Sequence, residues 1–174
     1  MFDFILDEGK GKIFLKYDEY IKEIFRVVKK NHPDKELIVK PHPQSDFINN
    51  AIDLINEIDS NAKIIVDANL PELINECDLI ISFNTSSILL ESIILEKPTI
   101  SLITDNWAKE NEIIKMNGVM SIDNIQNVES DISKIISNEE YKLELKSNAK
   151  QFLQKYLSNH GNASEQLVEI LKKL

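Results

Sequence analysis

Short apolar runs rich in isoleucine and valine alternate with stretches of helical periodicity along most of this chain. "ELIVK" (Glu36–Lys40), "AKIIVD" (Ala62–Asp67), "DLIIS" (Asp78–Ser82) and "PTISLI" (Pro98–Ile103) are continuous rather than alternating. Strands of that kind are buried on both faces, as in a parallel sheet covered by helices. "GKIFLKY" (Gly11–Tyr17) is read as a further strand before them. The segments between have helical spacing: Ile21, Ile24, Phe25 and Val28 share one face, and Ile48, Ile52, Ile55 and Ile58 another. "LPELINEC" starts a short helix on Pro71, and "SSILLESIILE" is a helix apolar nearly all round. Pro98 opens the last strand, and helical segments follow to the end, the longest being "EEYKLELKSNAKQFLQKYL". The final "GNASEQLVEILKKL" has Asn162 or Ser164 as its N-cap. Strand, helix, strand with right-handed crossovers predicts an α/β fold: one Rossmann-like, doubly wound parallel sheet with a helical C-terminal cover. No Pro/Gly/Ser-rich linker divides the 174 residues, so residues 1–174 are read as a single domain.

Composition removes several functions. A net charge of −9 without a basic face does not suit a nucleic-acid partner. The four glycines, at 9, 11, 118 and 161, form neither G-x-G-x-x-G nor a Walker loop, which argues against dinucleotide oxidoreductases and P-loop kinases. His32, His42, His160 and Cys77 lack metal-ligand spacing, so neither a metal nor another cofactor is expected. The lone Cys77, the absence of a long apolar run and the lack of a signal-peptide pattern at "MFDFILDEGK" lead to the expectation of a cytoplasmic protein.

Two loops leave strand ends with polar cargo, where ligands of open parallel sheets bind. In Lys40-Pro41-His42-Pro43 the prolines fix their own φ and push the residue before each into extended geometry. His42 is thereby kept out of the following helix, and its imidazole could donate to a phosphate oxygen, with Lys40 adding charge. The plainer reading is a stiff loop at a strand edge. The second loop, Phe83-Asn84-Thr85-Ser86-Ser87, runs into the apolar helix with four successive N-cap formers. Hydroxyls, free amides and the positive end of the helix dipole make an anion seat suited to phosphate, whereas a cap alone needs only one or two of them. Glu91 lies four residues past Ser87, too far for a capping box, and rises about 6 Å from it, a span that reaches the hydroxyls of an attached ribose. A solvent-facing glutamate is the alternative. Residues 104–118 follow a strand end and are candidates for lining the cleft, with Trp107 either a stacking face or a hydrophobic anchor.

"LIVKPHP", "NLPELINECDLIISFNTSSILLESIILEKPTISL" and "GNASEQLVEIL" together resemble the C-terminal, donor-binding half of GT-B glycosyltransferases of surface and capsular polysaccharide synthesis. The groups in view are capsule polysaccharide transferases, CMP-sialic acid and CMP-Kdo transferases with paired HP and SS motifs, and CDP-glycerol glycerophosphotransferases. The resemblance covers about residues 10 to 173. It implies that His42 contacts the nucleotide phosphate and assists its departure, that Ser86 and Ser87 with Thr85 seat the phosphate, and that Glu91 holds the ribose. Asp7-Glu8-Gly9 is similar to the acidic motif that supplies a base in the sialyltransferase groups, which makes Asp7 a second catalytic candidate; a surface turn is the plainer reading. The N-terminal acceptor half of such an enzyme is expected to be absent. The expected ligand is therefore a CMP-, CDP- or UDP-linked sugar. The expected partner is an acceptor-binding domain or separate chain, through which the protein could associate peripherally with a membrane. Two other readings stay open: a nucleotide-sugar epimerase-like domain, and a non-catalytic donor-binding subunit.

Overall fold

The computed structural model describes residues 10–41, 45–157 and 161–173, and of residues 10–16 and 45–51 the backbone. The chain order is α1 (Lys10–Asn31), β1 (Ile38–Val39), α2 (Ser45–Ile58), β2 (Lys63–Ile64), α3 (Leu70–Glu76), β3 (Ile80–Phe83), α4 (Ser87–Ile94), β4 (Thr99–Leu102), a 3-10 turn (Asn106–Glu110), α5 (Glu112–Lys115), β5 (Met120–Ile122), a second 3-10 turn (Ile125–Asn127), α6 (Val128–Ser137), α7 (Glu139–Tyr156) and α8 (Ala163–Leu171).

All strand pairings are parallel, and they form two ladders: β1 with β2, and β3-β4-β5 in that order. The α/β, Rossmann-like class expected from the sequence is what the molecule adopts, although among the described residues no pairing joins β1 to β3. The segments leading into these two strands are nevertheless neighbours. Lys35 and Asp78 form an ion pair at 3.4 Å, and Leu37, Leu79 and Ile81 pack on one core cluster. That cluster runs from Tyr20, Ile24, Val27 and Val28 of α1 through Ile100 and Leu102 of β4 to Val128, Ile132 and Ile135 of α6. A second cluster joins Leu89 and Ile93 of α4 to Ile113 and Ile114 of α5 and Ala149 and Phe152 of α7. The two clusters hold the central ladder between helical layers, as continuous apolar strands require.

Two elements differ from expectation. Residues 11–17 are helical, not a strand, and continue into the helix foreseen over Asp18–Asn31. No glycine or proline interrupts residues 12–31, and Tyr20, Ile24, Val27 and Val28 are buried at helical spacing on one face, with Tyr17 half-buried one turn before them. A helix already nucleated adds a hydrogen bond for each further residue, which outweighs the local strand-like look of Ile13-Phe14-Leu15. Conversely, β5 stands where only helix was foreseen. Its Met120 and Ser121 carry little strand preference, but the free edge of β4 offers backbone partners. No helix among the described residues is long and apolar enough to cross a membrane.

Glu129 clamps α6 to α1. Its carboxylate accepts from Arg26 Nη2 at 2.6 Å, Asn31 Nδ2 at 2.8 Å and Lys30 Nζ at 3.3 Å. Arg26 first, then Asn31 and Lys30, hold the carboxyl well below its ordinary 4.5, at about 2. A depressed folded-state pKa contributes stability that is fully present above the unfolded value and disappears as pH falls through the folded one. The melting-temperature gap between the wild type and Glu129→Gln should therefore be constant above about pH 4.5 and close as pH approaches about 2. Thermal melts of both proteins across that range check this; a gap unchanged at the acid end would refute the clamp.

Candidate functional site

The carboxyl ends of β3, β4 and β5 meet at one rim, and Asn84 organises it. The residue follows β3 in a left-handed conformation, φ 51°, which asparagine tolerates better than most side chains. It is buried, and its amide bridges two loops. Asn84 Oδ1 accepts from the backbone N–H groups of Thr104 (3.0 Å) and Asp105 (3.1 Å). Asn84 Nδ2 donates to Thr104 Oγ1 (2.8 Å), Tyr17 Oη (3.0 Å) and Asp105 Oδ2 (3.2 Å). Its backbone N–H donates to the Leu102 carbonyl at 2.9 Å, and its own carbonyl accepts from Ser101 Oγ at 2.5 Å. Burial pushes the Tyr17 phenol above its ordinary range, and Asp105 adds to this against the opposing hydrogen bonds of Thr104 and Asn84. The 104–105 loop is thus bolted to the start of the 85–87 loop. Next along the rim, Lys109 pairs with Asp123 at 2.7 Å, tying the chain after β4 to the chain after β5.

Thr85, Ser86 and Ser87 follow Asn84 directly. Thr85 and Ser86 are half-buried, and Ser87 is exposed. Ser86 is the N-cap of α4, with extended φ −69° and ψ 150°, yet its side chain makes no capping hydrogen bond. Among the described residues the hydroxyls of Thr85, Ser86 and Ser87 have no side-chain hydrogen-bond partner, so the ordinary reason for such residues at a helix start is missing. The Leu89 N–H donates back to the Ser86 carbonyl at 3.1 Å, and the N–H groups of Ser87 and Ile88 stand with the positive dipole end beside the three hydroxyls. Glu91 is half-buried one turn deeper in α4, without an ion pair among the described residues.

Asn84 thus leaves the set of cap formers: its side chain serves the fold and not a ligand. Lys40 is also more engaged than expected, donating from Nζ to the Val66 carbonyl at 3.1 Å and to the Pro41 carbonyl at 3.5 Å. It closes the β1 exit onto the β2 exit. His42 and Asp7 lie outside the described residues. Thr104 and Asp105 open the 104–118 segment that was expected beside the cleft, whereas sequence reasoning missed Tyr17 as a rim residue because its segment was read as a strand. Trp107, on the 3-10 turn after β4, keeps 51% of its surface exposed. Among the described residues no group of His, Cys, Asp or Glu could hold a metal ion, and burial pushes the Cys77 thiol up, away from nucleophile chemistry.

The parallel α/β layers place a hydroxyl-bearing helix start at the strand exits, the rim at which open parallel sheets generally bind ligands. The chain matches the capsule polysaccharide biosynthesis protein family over residues 11–108, more than half of its length, and belongs to that family. None of the curated proteins matches it. The matched span contains Tyr17, Lys40, His42, Thr85, Ser86, Ser87, Glu91 and Asp105.

Proposed function

We propose that this chain is the donor-binding domain of a glycosyltransferase of capsule polysaccharide synthesis, and that it holds a nucleotide-activated sugar at the β3–α4 rim. One observation carries the reading: Thr85, Ser86 and Ser87 stand uncommitted, among the described residues, at the start of an apolar helix in a protein of the capsule family. In this reading the α4 amides and the three hydroxyls bind the donor phosphate. Glu91, one turn on, accepts from the ribose hydroxyls. His42 donates to the phosphate oxygen as the sugar–phosphate bond breaks, so that the nucleotide leaves with its charge partly neutralised, and Lys40 supports it. Asp7 is the candidate base for the acceptor hydroxyl. The acceptor itself would be held by a further domain or partner chain.

Calorimetric titration with CMP, CDP, UDP and GDP tests the reading. One of these should bind, and Ser86→Ala or Ser87→Ala should each weaken it by about 1–3 kcal/mol, as removal of a hydrogen bond to a charged group does. Glu91→Gln should weaken the nucleotide while leaving inorganic phosphate binding unchanged. If none of the four nucleotides binds, the donor assignment is wrong.

A further inference from the structure

Resting on that reading, we infer that Ser101 is a positioning residue of the phosphate seat: its buried hydroxyl fixes, through Asn84, the peptide unit from which Thr85, Ser86 and Ser87 leave β3. Ser101 lies on β4, the middle strand of its ladder, and has no exposed surface. A hydroxyl in that place is costly unless bonded, and an alanine would fill it without the cost. The acceptor it finds lies beyond the end of β3: Ser101 Oγ donates to the Asn84 carbonyl at 2.5 Å.

The ladder explains why that carbonyl needs a donor. The Ile80 N–H donates to the Pro98 carbonyl at 3.0 Å and the Asn84 N–H to the Leu102 carbonyl at 2.9 Å, in one parallel pattern. The next rung of that pattern would carry the Thr104 N–H to the Asn84 carbonyl. The left-handed turn at Asn84 diverts it, and the Thr104 N–H donates to Asn84 Oδ1 at 3.0 Å. The side-chain amide thus takes the rung, and Ser101 donates to the displaced carbonyl. That carbonyl shares one planar peptide unit with the Thr85 N–H. Ser101 and Asn84 together therefore set the plane in which the hydroxyl-bearing loop begins. Its far end is held too: Ser92 Oγ donates to the Ile88 carbonyl at 2.6 Å, and Leu89 and Ile93 are buried. A short loop fixed at both ends before a ligand arrives spares binding the cost of ordering it.

The test is calorimetric titration of the wild type and Ser101→Ala with inorganic phosphate and with CMP, CDP, UDP and GDP, beside urea unfolding of each protein. Ser101→Ala should weaken phosphate and the nucleotide that binds by the same factor, about three- to tenfold, because the loss falls on the seat they share. A double-mutant cycle supplies the readout that a merely structural role would not move. In Ser101→Ala/Ser86→Ala the combined loss should fall short of the product of the two separate losses, since a misdirected Ser86 hydroxyl has less to lose. Ser101→Cys keeps the space filled with a weak donor and carries the same test should the alanine variant not fold. If a nucleotide binds but the Ser101 variants keep wild-type affinity, or if the losses at Ser101 and Ser86 simply multiply, the positioning role is refuted while the donor site stands. If none of the four nucleotides binds the wild type, both readings fall together.

Discussion

Asn84→Ala should destabilise the protein by about 3–5 kcal/mol, read as the shift of a urea unfolding curve. Two effects add. The truncation strips the acceptor from the backbone N–H groups of Thr104 and Asp105 and the donor from Tyr17, Thr104 and Asp105, at a position that is 6% exposed. Each buried group left unsatisfied costs about 1–3 kcal/mol. The alanine must also sit at φ 51°, where an ordinary L-residue is strained by about 1–2 kcal/mol. Asn84→Gly separates these, since glycine accepts the backbone angle but supplies no amide; it should recover only the smaller share. Asn84→Asp gives a third view. It would set a second carboxylate beside Asp105, where the amide now donates at 3.2 Å. Its stability should fall at neutral pH and recover as acidification protonates one of the pair. An Asn84→Asp protein as stable as wild type at neutral pH would mean the bridge is not what fixes the rim.

Leu102→Ala should cost about 2–5 kcal/mol in the same measurement. Leu102 has no exposed surface and ends β4 within the cluster that it shares with residues of α1 and α6. The two helices are pinned to each other by other contacts, among them the Arg26–Glu129 pair, so the space vacated cannot close completely. Leu167→Ala on α8 provides the control. That residue is 56% exposed, and the same truncation there should change stability by less than about 0.5 kcal/mol. Equal losses at the two positions would contradict the assignment of the core.

The β3–α4–β4 unit could be read from the sequence because each boundary has its own chemistry. Pro71 begins α3, Pro98 ends the turn whose carbonyl receives the Ile80 N–H, and isoleucine dominates between. The start of α1 could not, because Ile13-Phe14-Leu15 fits either period and only the downstream helix decides it. β5 was hidden for the opposite reason: a three-residue segment in which only Ile122 favours a strand becomes one only once β4 exists as a template. At the site, Thr85, Ser86, Ser87 and Glu91 were visible as polar residues in an apolar setting. The role of Asn84 was not, since the same amide that caps a helix also bridges two loops, and the choice depends on Thr104 arriving from another strand. Lys40 was seen only as a charge, because its partner, the Val66 carbonyl, comes from a different strand exit.

The discontinuity in the sheet gives α1 a mechanical role. With no shared rung between the two ladders among the described residues, this helix is a strut that reaches both flanks: Lys29 grips Asp59 just after α2, and Arg26 grips Glu129 on α6. The same rod carries Tyr17, whose phenol rests on Asn84. A load applied to either flank would thus reach the rim through α1.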